Sequence, residues 1–211
     1  MRSKVFALNS KAVLILVFAV CLGPIRAEDE KSIKGLCDAL VALASDVDPH
    51  EAELLSFTAH TMSRRLAREY GVAVDPAIHN FLIKIGAKQR GICADYTRDI
   101  GARLKEFHFK TLVLHWGAAY AKEPDENNGL VVTARNQPFL DGIVLDGWRK
   151  AGRLFWCPVK KDREYEIGRR NLLGQLGGHP HSGITAWKED LQETGLLQEN
   201  RPSPAQLKRK R

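Results

Sequence analysis

The stretch GICADY, residues 91–96, decides how this chain is interpreted, because it sets a thiol at the start of an amphipathic helix. Cys93 opens that helix, and apolar residues recur after it at helical spacing as far as Phe107. Two strand-like segments downstream end in His115 and in Asp146. A cysteine at a helix N-terminus, with a base and an acid on later strands, is the layout of a thiol-nucleophile enzyme. The helix N-terminus and a neighbouring imidazolium both favour the thiolate.

The segments before Cys93 predict helices, and those after its helix predict strands. Apolar residues between 33 and 44 recur at helical spacing, and Asp48–Pro49 with Glu51 and then Asp75–Pro76 are helix-start signals. Apolar runs with strand character follow at 111–114, 130–133, 143–145 and 154–157. This order predicts an α+β fold, with N-terminal helices followed by a small antiparallel sheet.

The first 27 residues predict a secretory signal peptide. A basic start precedes the apolar run 12–23, and Ile25–Ala27 offers a small-residue cleavage site. The run is shorter than the about 20 residues that span a bilayer, so an uncleaved anchor is the less favoured alternative. Lipid attachment at Cys21 is also less favoured, because Phe18–Val20 suits a lipobox poorly. We therefore expect a periplasmic or secreted protein with no transmembrane segment after signal removal.

Charge and length limit the partners and the number of domains that we expect for the rest of the chain. The formal net charge of +7 resides in the basic residues of the signal and in the tail 208–211, which leaves a nearly neutral body. Such a body offers no basic face for nucleic acid. We expect one domain over residues 28–165 and an irregular C-terminal extension with a basic tail over 166–211.

Three cysteines remain after the predicted signal: Cys37, Cys93 and Cys157. An odd number in an oxidising compartment leaves at least one thiol unpaired, unless chains link to each other. If Cys37 pairs with Cys157, then Cys93 is the free thiol. The sequence does not establish that pairing.

The histidines give only a weak metal pattern. His179 and His181 lie in the Gly-rich loop 177–183, and two histidines in such a loop are poor grounds for a metal site. The sequence predicts no metal and no cofactor.

Several short motifs follow one another between residues 35 and 165: Glu51-Ala52, His79-Asn80, Gly91-Ile92-Cys93, His115-Trp116 and Val144-Leu145-Asp146-Gly147-Trp148-Arg149. Their order resembles the transglutaminase-like branch of the papain-like thiol enzymes, and more closely a group of uncharacterised exported bacterial proteins. The resemblance implies that Cys93 attacks an acyl carbon, that a histidine activates it, and that Asp146 orients this histidine. The histidine is expected just before the strand 130–132, where this chain has Asn127.

The asparagine leaves three interpretations open, because an amide cannot take a proton from a thiol at neutral pH. In the first, His115 reaches across the hairpin as the base, and the protein performs acyl transfer or amide hydrolysis on peptide-like substrates. The second is a catalytically inactive relative that binds a peptide or cell-envelope polymer in the periplasm. The third is a structural protein whose Cys93 serves packing or a disulfide. No feature of the sequence predicts an oligomeric state.

Overall fold

Helices form the first part of the chain and strands the second in the computed structural model, which describes residues 27–72, 75–122, 126–162 and 187–198. The helices are α1 Ala27–Val41, α2 Pro49–Glu69, α3 Pro76–Lys84, α4 Cys93–Lys105 and α5 Leu191–Gln198. The strands are β1 Leu112–Ala119, β2 Asn127–Ala134, β3 Ile143–Asp146, β4 Phe155–Pro158 and β5 Trp187–Glu189. The predicted signal, up to residue 26, lies outside the described residues. None of the helices within these ranges has both the length and the hydropathy needed to cross a bilayer.

Two predicted helix starts are confirmed by their caps. The Asp48 carboxylate accepts the backbone N–H of His50 at 2.8 Å, directly before the proline that opens α2. The Asp75 carboxylate accepts the N–H of Ala77 at 2.7 Å, again before a first-turn proline. Each cap satisfies one of the backbone donors that a helix N-terminus leaves unpaired.

The strands form one antiparallel sheet in the order β4-β3-β2-β1-β5. The α+β prediction, helices followed by an antiparallel sheet, is confirmed at this level. His115 lies opposite Val131 in the β1–β2 pair, and Leu130 lies opposite Leu145 in the β2–β3 pair. Because side chains alternate along a strand, this register decides which residues face the helices.

The two faces of the sheet are covered differently. The helices pack on the inner face, whose buried strand residues include Leu112, Leu114, Trp116, Leu130, Val132, Ile143 and Leu145. A smaller outer cluster covers the opposite face and contains Ala119, Val131, Val144, Val159 and Trp187. A side chain on β1 or β2 therefore belongs to one cluster or to the other, according to its position in the alternation.

Part of the predicted irregular extension, 166–211, is regular in the structure. It contributes β5, which pairs with β1, and the helix α5. Trp187 is buried, and its indole N–H donates to the Asp162 carboxylate at 2.9 Å. The ring packs on Gly117 and Gly129, where an added Cβ would lie 3.1 and 3.0 Å from its carbon atoms. A three-residue strand is too short to show a sequence period, and its stability comes from this tertiary contact.

All three described cysteines are free thiols. Cys37 packs against the inner cluster and Cys157 against the outer cluster, so the sheet lies between them. The pairing considered from the sequence is therefore not formed.

Candidate functional site

The Cys93 thiol lies where the start of α4 meets the start of β2. Cys93 is the first residue of α4, and its side chain is buried. The Asn128 side-chain amide donates to Sγ at 3.8 Å, and Sγ lies 3.9 Å from the backbone oxygen of Glu126. The Asn128 carbonyl in turn accepts the indole N–H of Trp116 at 2.6 Å, which fixes the orientation of the amide. The thiol thus meets neutral amide groups.

The loop before Cys93 is held by a histidine and a glycine that fit each other. Nε2 of the buried His79 donates to the backbone oxygen of Arg90 at 2.8 Å. The next residue, Gly91, has a φ of +117° and lies so close to His79 that an added Cβ would be 2.4 Å from Nε2. Only glycine combines this backbone conformation with this approach. These contacts set the position from which α4 begins.

Asp95 caps the helix that carries the thiol. Its carboxylate accepts the backbone N–H groups of Gly91 at 2.9 Å and Ile92 at 3.3 Å. It also pairs with Arg98 at 3.1 Å, so its charge is partly neutralised beside the N-terminal turn. The acidic first turn therefore stabilises the helix start.

The surroundings of Cys93 disfavour its thiolate. Burial raises the pKa of the thiol, and the nearby Asp146 carboxylate also raises it. The N–H groups of Asn128 and the backbone N–H of Ala94 act in the opposite direction, but the net result is a raised pKa. The thiol is consequently protonated at neutral pH.

Asp146 ends β3 and has two sets of contacts. One carboxylate oxygen accepts the backbone N–H groups of Trp148 at 2.8 Å and Arg149 at 2.9 Å, which forms a turn of the Asx type. The other accepts the Asn127 side-chain amide at 2.9 Å and Nε of Arg149 at 3.2 Å. The predicted orienting acid is therefore also a turn and ion-pair residue.

Asn127 lies at the position where the resemblance calls for a histidine, and its side chain meets Asp146. Its amide nitrogen donates to the acid, while Oδ1 is buried and has no hydrogen-bond partner among the described residues. An asparagine amide has no basic nitrogen, so this contact cannot relay a proton. The group that hydrogen-bonds to Asp146 here is therefore not a base.

The structure does not bring His115 to Cys93. Nδ1 of His115 lies 2.7 Å from the Glu189 carboxylate, and Nε2 lies 2.9 Å from the Thr133 hydroxyl. The neighbouring Trp116 points to the inner face, where it bonds Asn128 beside the thiol. Because successive side chains on a strand alternate, His115 emerges on the outer face. No described histidine hydrogen-bonds to the Cys93 thiol.

A buried ion-pair network that the sequence does not predict adjoins the site. Arg149 donates to Asp146 through Nε, and to Asp162 through both terminal nitrogens at 3.0 and 2.8 Å. Its guanidinium also lies 4.0 Å from the Phe155 ring centroid. The motif VLDGWR places the arginine near the acid, but Asp162 stands in no recognisable motif.

Comparison of the chain with protein-family models, with curated proteins and with solved structures finds no match. The described residues contain no group of three or more His, Cys, Asp or Glu side chains placed to hold a metal ion. His179 and His181 lie outside those residues. The contacts described above are thus the basis for inferring a function.

Proposed function

We propose that this protein is an exported, catalytically inactive member of the transglutaminase-like type that binds a peptide or a cell-envelope polymer. The observation that carries the proposal is the contact of the Asn127 amide with Asp146. In the resemblance, the group beside this acid is the histidine that activates the cysteine, and in this chain it is an amide.

The chemistry of the thiol supports inactivity. Acyl transfer requires a thiolate, and the enzyme must either stabilise it or remove the proton during attack. A thiol with a pKa at or above the free value of about 8.5 is only a few per cent ionised at pH 7. Burial and Asp146 both raise the pKa of Cys93, and no described base hydrogen-bonds to it.

Hydrogen-bonding groups at the same place support a binding role. Binding needs no base, and amides both donate to and accept from a peptide backbone. Asn127 Oδ1 is a buried acceptor without a described partner, whereas the Asn128 amide already donates to the thiol and to the Glu126 carboxylate. A peptide-like ligand carries the N–H donors that this unpartnered acceptor lacks.

A second candidate, the cysteine acyltransferase or amide hydrolase, is favoured by one observation. Cys93 is the first residue of α4, where backbone N–H groups favour an anion, and Asp146 is near enough to influence its pKa. This candidate requires a base that the described residues do not bring to Cys93.

The rate of iodoacetamide alkylation against pH separates the two candidates. It is measured on Cys93 in a Cys37→Ala/Cys157→Ala background, because the two other described thiols are only half-buried. We expect a profile with its midpoint at or above about 8.5, unchanged by His115→Ala. A midpoint well below that value, lost in His115→Ala, would restore the enzyme interpretation.

Substitutions at Asn127 test why the site is inactive. Asn127→His places an imidazole beside Asp146, and we expect it to lower the midpoint of alkylation, because an imidazolium stabilises a thiolate. Asn127→Gln is the matched control, since it enlarges the side chain without adding a base. Equal profiles in both variants would show that a missing base is not what keeps the thiol protonated.

A further inference from the structure

Helix α3 presents an apolar stripe to solvent. Ile78, Phe81 and Ile85 have exposed fractions of 51%, 59% and 58%. Their spacing of three and four residues places them on one face of the helix and its C-cap. The other exposed large hydrophobic residues in the described part, Leu140 and Leu191, lie before β3 and at the start of α5.

The opposite face of α3 fixes the orientation of the stripe. His79 is buried and donates to the backbone oxygen of Arg90 at 2.8 Å. Asn80 accepts the indole N–H of Trp148 at 3.3 Å. The buried side of the helix thus carries these polar contacts beside the half-buried Leu82 and Ile83, while Ile78, Phe81 and Ile85 point away from the domain. A surface helix usually buries its apolar face, and α3 leaves three large apolar residues exposed.

Cations border the apolar stripe. Residues 76–92 contain Lys84, Lys88 and Arg90 and no acidic residue; Asp75 caps the start of the helix, and Lys88 is half-buried with its Nζ beside Gly71. Arg90 pairs with Asp99 at 2.9 Å, whereas neither lysine forms an ion pair with a described residue. The exposed apolar residues and the two lysines suit a partner that supplies both an apolar layer and negative charge.

We propose that the apolar stripe docks the protein on an anionic lipid surface. Phe81 and the two isoleucines enter the boundary between headgroups and acyl chains, while Lys84 and Lys88 meet the phosphates. Peptides are usually recognised by adding a strand to a sheet or by lying in a groove. The stripe is instead the outward face of a single short helix, a shape that suits a deformable planar surface. The proposal does not involve Cys93, so it stands or falls independently of the proposed function.

Vesicle sedimentation tests this proposal on the protein as it is isolated from cells. Vesicles of phosphatidylglycerol mixed with phosphatidylcholine are compared with vesicles of phosphatidylcholine alone. We expect preferential binding to the anionic vesicles and a loss of about tenfold in affinity on Ile78→Ser/Phe81→Ser/Ile85→Ser. Leu140→Ser/Leu191→Ser is the matched control and should bind like the unmodified protein. Equal binding by the stripe variant would overturn the proposal and assign binding to other parts of the chain, such as the basic tail.

A fluorescent probe in the stripe distinguishes lipid from other coverings. Phe81→Trp should emit at shorter wavelength when anionic vesicles are added, and Leu191→Trp should not. Absence of that shift would overturn the proposal. Emission from Phe81→Trp that is already at short wavelength without vesicles would also overturn the proposal. If dilution removes that shift, a second copy of the protein covers the stripe. If the shift persists on dilution, a segment of the same chain covers it.

Discussion

Replacing Arg149 by methionine tests whether the ion pairs beside the site are closed to water. The Arg149 guanidinium lies between the Asp146 and Asp162 carboxylates, and all three side chains are less than 5% exposed. Methionine keeps much of the apolar stem, but removes the charge, the donors and the guanidinium contact with Phe155. The backbone N–H of residue 149 continues to donate to Asp146.

The expected loss follows from what each carboxylate retains. Asp146 keeps the backbone N–H of Trp148 and the Asn127 amide, whereas Asp162 loses two guanidinium contacts and keeps the Trp187 indole. Removing one partner of a buried ion pair costs about 3–5 kcal/mol, because a charge stays buried without compensation. We expect Arg149→Met to lie in this range. Such a loss is a large fraction of the about 5–15 kcal/mol that stabilises an ordinary domain.

Urea denaturation measures this loss, with Arg153→Met as the matched control. Arg153 pairs with Glu28 at 3.4 Å, but the two side chains are 53% and 75% exposed, so we expect a change of less than about 1 kcal/mol. Adding Asp162→Asn to Arg149→Met should recover part of the loss, because it removes a buried charge. A loss below about 1 kcal/mol in Arg149→Met, with an unchanged denaturant slope, would refute the reasoning and show that water reaches the carboxylates.

Two further predictions concern the loop before Cys93 and the Cys93 thiol itself. Gly91→Ala should destabilise the protein by about 3 kcal/mol in urea denaturation, since backbone strain adds to a clash with His79. Gly86→Ala, also at positive φ but with open space around it, should cost only about 1 kcal/mol; equal losses would mean that His79 moves freely. Burial raises the pKa of Cys93 in the folded state. The protonated thiol therefore contributes fully to the free energy of unfolding below the unfolded pKa of about 8.5, and this contribution is lost as pH rises through the folded pKa. The urea midpoint should thus fall more steeply above that pH in the unmodified protein than in Cys93→Ala, and parallel curves would contradict the raised pKa.

Local signals explain which parts of the fold the sequence could predict. Asp48 and Asp75 act on backbone groups two residues away, so their motifs define helix starts without knowledge of the rest of the chain. The strand–turn around Asp146 is similarly local, because the carboxylate bonds the two residues after Gly147. Each of these features depends on neighbours that a short window of sequence contains.

The position of His115 could not be predicted, because it depends on distant partners. The sequence suggests that β1 ends at His115, but the strand continues through Gly117 to Ala119. Glycine and alanine have little intrinsic strand preference, and pairing with β2 and β5 extends the strand over them. His115 then lies within the strand, and its partner Glu189 is 74 residues away. Register and face are set by these long-range contacts.

The place of β5 in the sheet has a consequence for synthesis and for proteolysis. β1 is made long before β5, so its open side presents unpaired N–H and C=O groups until Trp187 and the residues around it have emerged. Such a side is a template for pairing with another chain. A chain that is cut between residues 162 and 187 and loses its C-terminal part would keep β1 to β4. The open side of β1 would then be exposed, together with the two glycines on which the Trp187 ring packs. Cleavage there should therefore yield an aggregating fragment, rather than a smaller domain that folds as before.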